Sequence, residues 1–159
     1  KKSLYNGLRF SSQKVMLEDY EILTSVFLKI NRMVFIDNNL YFYRQNSNSI
    51  THNVNVEIIS ENNITIAKRE QMILEAYPDL LTAVKIGRAY RALSYLTFLR
   101  KICDDYEIKQ KEQKNLRKYL YLFLLDEDIN IKKKLAALLL SVNLRIYDTM
   151  LRLYSKECF

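Results

Sequence analysis

Two neighbouring carboxylates, Glu18 and Asp19, are the side chains of this sequence best suited to acid–base chemistry. The apolar residues that follow them recur three and four positions apart, which predicts a helix over residues 18–30. A carboxylate at a helix N-terminus is held by the backbone N–H groups of the first turn, and it can take a proton from a substrate hydroxyl. The alternative is that Glu18, Asp19 and Glu21 only cap this helix and complement its dipole.

A second polar segment, residues 45–53, is uncharged and rich in Asn and Ser. Such side chains compete with regular structure for backbone hydrogen bonds, so a loop is predicted here. Ser49 and Thr51 could bind phosphate oxygens or form local turns. Arg44 precedes the loop and His52, the only imidazole of the chain, lies near its end. Alternatively, Arg44 is a surface arginine at a strand end, and His52 is a solvated loop residue.

The composition excludes most other catalytic sites. One His, two Gly and two Cys are too few for a Cys/His metal cluster, a Gly-rich phosphate loop or a Ser–His–Asp triad. The net charge is +7, but acidic residues are interleaved with the basic ones. Because no sequence motif of a nucleic-acid-binding domain is present either, we expect no nucleic-acid partner.

The cysteines suggest no disulfide framework, and no apolar run approaches the roughly 20 residues of a membrane span. We therefore expect a cytoplasmic location. The inner face of the membrane is one place that this location allows.

Helix is expected to dominate, because two Gly and one Pro cannot supply the turns of a many-stranded sheet. Short strands are nevertheless predicted at residues 8–10, 33–36 and 40–44, which are rich in β-branched or aromatic side chains. The predicted fold class is therefore mainly α, with an α+β fragment over residues 1–53 and a helical bundle domain over residues 54–159. Helices of the bundle are predicted over residues 56–75, 80–102, 109–125 and 131–154, the last with a break near 141–143.

Four phrases occur in order within residues 4–53: Gly7-Leu8-Arg9-Phe10, Glu18-Asp19, Tyr41-Phe42-Tyr43-Arg44 and Ser49-Ile50-Thr51. In order and spacing they resemble the second half of the catalytic domain of bacterial glycosyltransferases of family 2. The resemblance covers about a third of the chain. It implies the acceptor half of a GT-A fold and the transfer of a sugar, with inversion, from a nucleotide-sugar to a saccharide or lipid-linked acceptor in surface polysaccharide synthesis.

The resemblance also implies roles for individual residues. Asp19 would be the catalytic base, with Glu18 positioning the acceptor or the base. Arg44, Ser49 and Thr51 would bind the donor diphosphate, and His52 would complete the shell of a divalent Mn or Mg ion. The nucleotide-binding strands and Asp-x-Asp metal motif of the family are not among these residues. We therefore expect the full-length enzyme to use the metal, and this chain alone to bind none and to be inactive.

The last predicted helix carries an apolar stripe with basic flanks. The stripe consists of Ile131, Leu135, Leu138, Leu139, Val142, Ile146, Met150 and Leu153, and the flanks of Lys132, Lys133, Arg145 and Arg152. A basic amphipathic helix of this kind over residues 131–154 suits an anionic membrane surface. Alternatively the stripe packs into the bundle. The rival to the enzyme is a non-catalytic basic helical interaction module that forms a homo-oligomer or docks on a membrane surface.

Overall fold

The computed structural model describes residues 2–10, 17–38, 40–42, 56–102 and 105–146, apart from the side chains of residues 18 and 100–102. Its α-helices are α1 (Glu18–Phe27), α2 (Val56–Ala76), α3 (Leu81–Ile102), α4 (Tyr106–Leu125) and α5 (Ile131–Val142). Short 3₁₀ helices occupy Lys2–Tyr5 and Pro78–Leu80. The prediction of a mainly helical chain is confirmed.

The chain forms two compact units, Lys1–Pro78 and Asp79–Phe159. α2 belongs to the first unit because it packs against α1. This division therefore falls after α2, whereas the predicted division at residue 53 falls before it. The domain assignment of 1–53 and 54–159 stays a prediction.

The interior of the first unit is small and partly polar. Ile22 and Val26 of α1 and Ile59 of α2 are buried, whereas Leu23 and Phe27 of the same apolar pattern are exposed. Thr24 is also buried, and its hydroxyl donates a hydrogen bond of 2.7 Å to the carbonyl of Tyr20 one turn earlier. The buried residues of α2 are mostly polar: Ile59, Asn62, Thr65 and Glu70. A helix pair with so little buried apolar surface has only a modest hydrophobic stabilisation.

The short strands predicted for this unit are not shown. Residues 8–10, 33–36 and 40–42 have no regular secondary structure, and no strand occurs within the described ranges. A strand is stable only when its N–H and C=O groups pair with a neighbouring strand, and the described residues provide none. The aromatic side chains of these segments stay in solvent, with Phe35 86% and Phe42 91% exposed. Residues 43 and 44 of the last predicted strand lie outside the described residues.

The second unit is the helical bundle that the periodicity predicts. Ala89, Ala92, Leu93, Leu96 and Leu99 recur at helical spacing along α3, and all of them are buried. The first four of them pack with Leu116, Phe123, Ala137 and Leu140 of the two following helices. The short connections from α3 to α4 and from α4 to α5 favour antiparallel neighbours.

Side-chain caps set two helix starts in this bundle. Asp105 accepts hydrogen bonds from the backbone N–H groups of Glu107 and Ile108, at 2.8 and 3.3 Å. α4 therefore starts at Tyr106, three residues before the predicted start at residue 109. Asn130 caps α5 in the same way, through the N–H of Lys132 at 2.7 Å. α5 ends at Val142, within the predicted break near 141–143, and residues 147–154 of that prediction lie outside the described residues.

Candidate functional site

The carboxylate pair lies where the sequence predicted it, at the start of α1. Glu18 is the first residue of the helix and Asp19 the second, and the Asp19 side chain is exposed to solvent. The side chain of Glu18 lies outside the described residues. An exposed carboxylate in the first helical turn is accessible to a substrate hydroxyl and experiences the partial positive charge of the helix N-terminus.

The residue before the pair has an unusual backbone. Leu17, the N-cap of α1, has φ 68° and ψ 22°, in the left-handed region. Its carbonyl accepts a hydrogen bond of 3.0 Å from the N–H of Tyr20. An L-residue in this region costs about 1–2 kcal/mol, and such strain is concentrated at functional sites. Because a leucine side chain accepts no hydrogen bond, it cannot cap the first-turn N–H groups next to Asp19.

An arginine of α2 reaches the same turn of α1. The guanidinium carbon of Arg69 lies 5.2 Å from the centre of the Tyr20 ring, within cation–π range. Its Nε atom is buried and has no hydrogen-bond partner among the described residues. Asp19, Tyr20 and Arg69 thus combine a carboxylate, a phenol and a fixed positive charge at one end of α1. Sequence analysis did not select Arg69, because no local pattern connects residue 69 with residue 20.

The other predicted site residues cannot be placed with them. Arg44, Ser49, Thr51 and His52 lie outside the described residues, so their donor and metal roles stay predictions. Within the described ranges, no group of three or more His, Cys, Asp or Glu side chains could hold a metal ion.

A cleft of about 430 Å³ lies in the second unit, between the first half of α4 and the residues that follow α5. Its lining residues are Tyr106, Gln110, Gln113, Arg117, Val142, Asn143, Leu144 and Arg145. Arg117 donates through Nε to the carbonyl of Ser141 at 2.5 Å and through Nη2 to that of Val142 at 3.2 Å. Gln113 donates to the carbonyl of Leu140 at 2.6 Å. These bonds satisfy the last carbonyls of α5, which gives Arg117 and Gln113 a structural role.

Tyrosines and cations are also paired across the bundle. Arg88 of α3 donates through Nη1 to the Tyr119 hydroxyl of α4 at 3.2 Å. This hydrogen bond is the largest influence on the pKa of Tyr119 and lowers it below its ordinary value of 10.0. Burial raises the pKa, and Lys118 lowers it. Lys133 of α5 donates to the Tyr90 hydroxyl of α3. Such contacts between helices are typical of tyrosine, which combines an apolar ring with a polar hydroxyl group.

The apolar stripe of α5 faces mostly away from the bundle. Leu139 packs against the core, as the alternative prediction requires. However, Ile131, Leu135, Leu138, Val142 and Ile146 are exposed. The alternative that the whole stripe packs into the bundle is therefore wrong for these five residues. In α5 itself, Ala137, Leu140 and Ser141 occupy the buried face instead. Among the described helices, none combines the length and the hydrophobicity that a membrane span requires.

Comparison with known proteins adds no relative: no family model, no curated protein and no solved structure matches this chain.

Proposed function

We propose that this chain is part of a glycosyltransferase resembling family 2. The enzyme would transfer a sugar from a nucleotide-sugar donor to a saccharide or lipid-linked acceptor in surface polysaccharide synthesis, with inversion. The observation that supports this proposal is the exposed Asp19 in the first turn of α1, within the ordered phrases of residues 4–53. The donor-binding half and the divalent metal, Mn or Mg, would be supplied by the full-length enzyme, and this chain alone would be inactive.

In the proposed step, an acceptor hydroxyl attacks the anomeric carbon of the donor sugar from the face opposite the diphosphate. The Asp19 carboxylate takes the proton of that hydroxyl as the new glycosidic C–O bond forms. The bond between the anomeric carbon and the diphosphate oxygen breaks, and the nucleoside diphosphate leaves with the electron pair. Attack from the opposite face inverts the configuration.

The neighbouring residues would position the reacting groups. Arg69 places a guanidinium beside Tyr20, one residue from Asp19, where it can bind acceptor hydroxyls or a phosphate oxygen. Glu18 would orient the acceptor or the base. Arg44, Ser49 and Thr51 would hold the donor diphosphate, and His52 would ligate the metal.

The test is the substitution Asp19→Asn in the full-length protein, with Glu21→Gln as the matched control. Glu21 is an exposed carboxylate of the same helix, so its substitution removes a similar charge without removing the base. We expect Asp19→Asn to lower kcat by about 10²–10⁴-fold and to leave binding of the nucleotide-sugar unchanged. Glu21→Gln should keep nearly full activity. Turnover retained in Asp19→Asn would contradict the assignment.

One observation favours the second candidate, a non-catalytic basic helical interaction module. It is the exposed apolar stripe of α5, which a solvated bundle helix does not need. Binding of a nucleotide-sugar by the full-length protein, measured calorimetrically, separates the candidates. The enzyme requires this binding and the interaction module predicts none.

A further inference from the structure

α5 has a buried face and an exposed apolar face. One faces the bundle and contains Ala137, Leu140 and Ser141, all buried. The other, which we call the outer face, consists of Ile131, Leu135, Leu138 and Val142. These four side chains are between 40% and 68% exposed, although an ordinary surface helix has polar residues on its outer side.

The outer face has a cation on each border. Successive residues of an α-helix are rotated by about 100°, so residues 131, 135, 138 and 142 form one narrow stripe. Lys132 lies about 90° to one side of the stripe and Lys134 about 70° to the other. α5 contains no acidic residue, and its sequence is IKKKLAALLLSV. An apolar stripe bordered by two lysines and free of acids is complementary to a surface with apolar chains beneath anionic groups.

We propose that the outer face of α5 docks on the surface of an anionic lipid bilayer. α5 would lie parallel to the membrane, with its four aliphatic side chains at the boundary of headgroups and acyl chains, about 5–10 Å deep. The long stems of Lys132 and Lys134 would extend along the helix and direct their ammonium groups to lipid phosphates. Lys133, which contacts Tyr90 of α3, is not needed for this contact.

A second copy of the chain fits this face less well. Four aliphatic side chains at this exposure offer less than the roughly 800 Å² that each partner buries in a stable interface. Parallel pairing would also bring Lys132 and Lys134 of the two copies together, and like charges repel. An anionic bilayer neutralises both lysines instead.

This inference does not depend on the proposed glycosyltransferase activity. Its experiment measures lipid binding alone, so either proposal can fail without the other.

Co-sedimentation with vesicles provides the first test. The chain is mixed with vesicles of phosphatidylcholine alone, or with vesicles that also contain phosphatidylserine. We expect binding to the anionic vesicles only, and weaker binding at higher salt. Replacement of both border lysines, Lys132→Gln with Lys134→Gln, should weaken binding about 25-fold, because each lysine near the surface contributes about fivefold.

A matched control separates the border lysines from net charge. Lys111 and Lys114 are exposed on α4, and Lys111→Gln with Lys114→Gln lowers the net charge by the same amount. We expect this pair to weaken binding by less than about threefold, because charges away from the contact are screened. Equal losses from the two pairs would overturn the proposal, because they would show attraction by net charge alone.

A second pair of variants tests how much the apolar side chains of the outer face contribute to vesicle binding. Leu135→Ser removes an outer-face side chain, and Leu125→Ser removes one of similar exposure on α4. Leu135→Ser should weaken vesicle binding by about tenfold or more and Leu125→Ser should not. Absence of vesicle binding by the parent chain would overturn the proposal. So would a dimer, detected by sedimentation equilibrium, that Leu135→Ser dissociates while vesicle binding is unchanged.

A single-tryptophan reporter shows directly whether the face inserts, since the chain contains no Trp. The emission of Leu138→Trp should shift to shorter wavelength when anionic vesicles are added, because the indole leaves water. The emission of Leu125→Trp should not shift. Circular dichroism confirms that both variants keep the parent helix content. A shift in neither variant, or the same shift in both, would contradict docking through α5.

Discussion

The guanidinium carbon of Arg69 lies 5.2 Å from the centre of the Tyr20 ring and joins α2 to the first turn of α1. The contact connects the two α-helices of a unit whose described interior is small. It also brings a positive charge to the turn that carries Asp19, so it connects the fold of the first unit with its candidate chemistry.

Arg69→Ala should destabilise the chain by about 1 kcal/mol. The cation–π contact is worth roughly 0.5–1 kcal/mol and the packed stem adds to it, while loss of the unpartnered Nε–H offsets part of the change. Lys68→Ala, at an exposed neighbouring position of α2, should change stability by less than about 0.5 kcal/mol. Urea unfolding followed by circular dichroism measures both. Equal stability of the two variants would show that the contact contributes nothing.

Leu17→Gly and Leu28→Gly should have different effects, although both leucines flank α1 and are half-buried. Leu17 has a left-handed backbone, so glycine relieves about 1–2 kcal/mol of strain and offsets the lost burial. The backbone of Leu28 is in the right-handed helical region, with φ −67°, so glycine at this position relieves no strain. We expect Leu17→Gly to stay within about 1 kcal/mol of the parent chain and Leu28→Gly to lose about 2 kcal/mol. The same urea titration compares them, and a larger loss from Leu17→Gly would refute strain at this position.

Arg117→Ala should destabilise the second unit by about 1–2 kcal/mol. The substitution removes two hydrogen bonds to the last carbonyls of α5 and a positive charge at the negative end of that helix. Lys114 is an exposed residue of α4, the helix that carries Arg117, so Lys114→Ala should leave the stability nearly unchanged. Hydrogen exchange of the α5 amides provides the readout, since their protection should fall in Arg117→Ala only. Unchanged protection of these amides would show that the Arg117 hydrogen bonds do not stabilise the end of α5.

The pH dependence of stability should change when Arg88 is replaced. The Arg88 hydrogen bond lowers the pKa of Tyr119 in the folded chain below the unfolded value of 10.0. The folded state therefore binds the Tyr119 proton less tightly, and the resulting stabilisation is complete above pH 10.0 and disappears as the pH falls through the lowered folded pKa. In Arg88→Gln this alkaline stabilisation should diminish, and the pKa of Tyr119 should return toward its ordinary value.

The ultraviolet absorbance of tyrosinate follows this titration, and Tyr119→Phe identifies the contribution of Tyr119 among the 12 tyrosines. If the difference between the parent chain and Tyr119→Phe titrates at the ordinary tyrosine pKa, the proposed effect of Arg88 is refuted.

Local periodicity was enough to predict most of the helical structure. The buried residues of α3 from Ala89 to Leu99 follow from spacing alone, because a helix has the same period wherever it packs. The start of α4 was predicted too late, since Asp105 caps it ahead of the apolar residues that define the pattern. In the candidate site, spacing placed Asp19 in a first helical turn, while the left-handed backbone of Leu17 left no signal in residue type.

What depended on distant parts of the chain could be decided only by the tertiary structure. Strands at residues 33–36 and 40–44 require a partner that no local pattern supplies, and the described part of these segments is not paired. Arg69 meets Tyr20 only because α2 packs on α1. The sequence by itself determined that α5 is amphipathic and basic, whereas packing against α3 and α4 decided which apolar residues are buried. The physical reason is that helical period is a property of neighbouring residues, but burial is a property of the surfaces that meet.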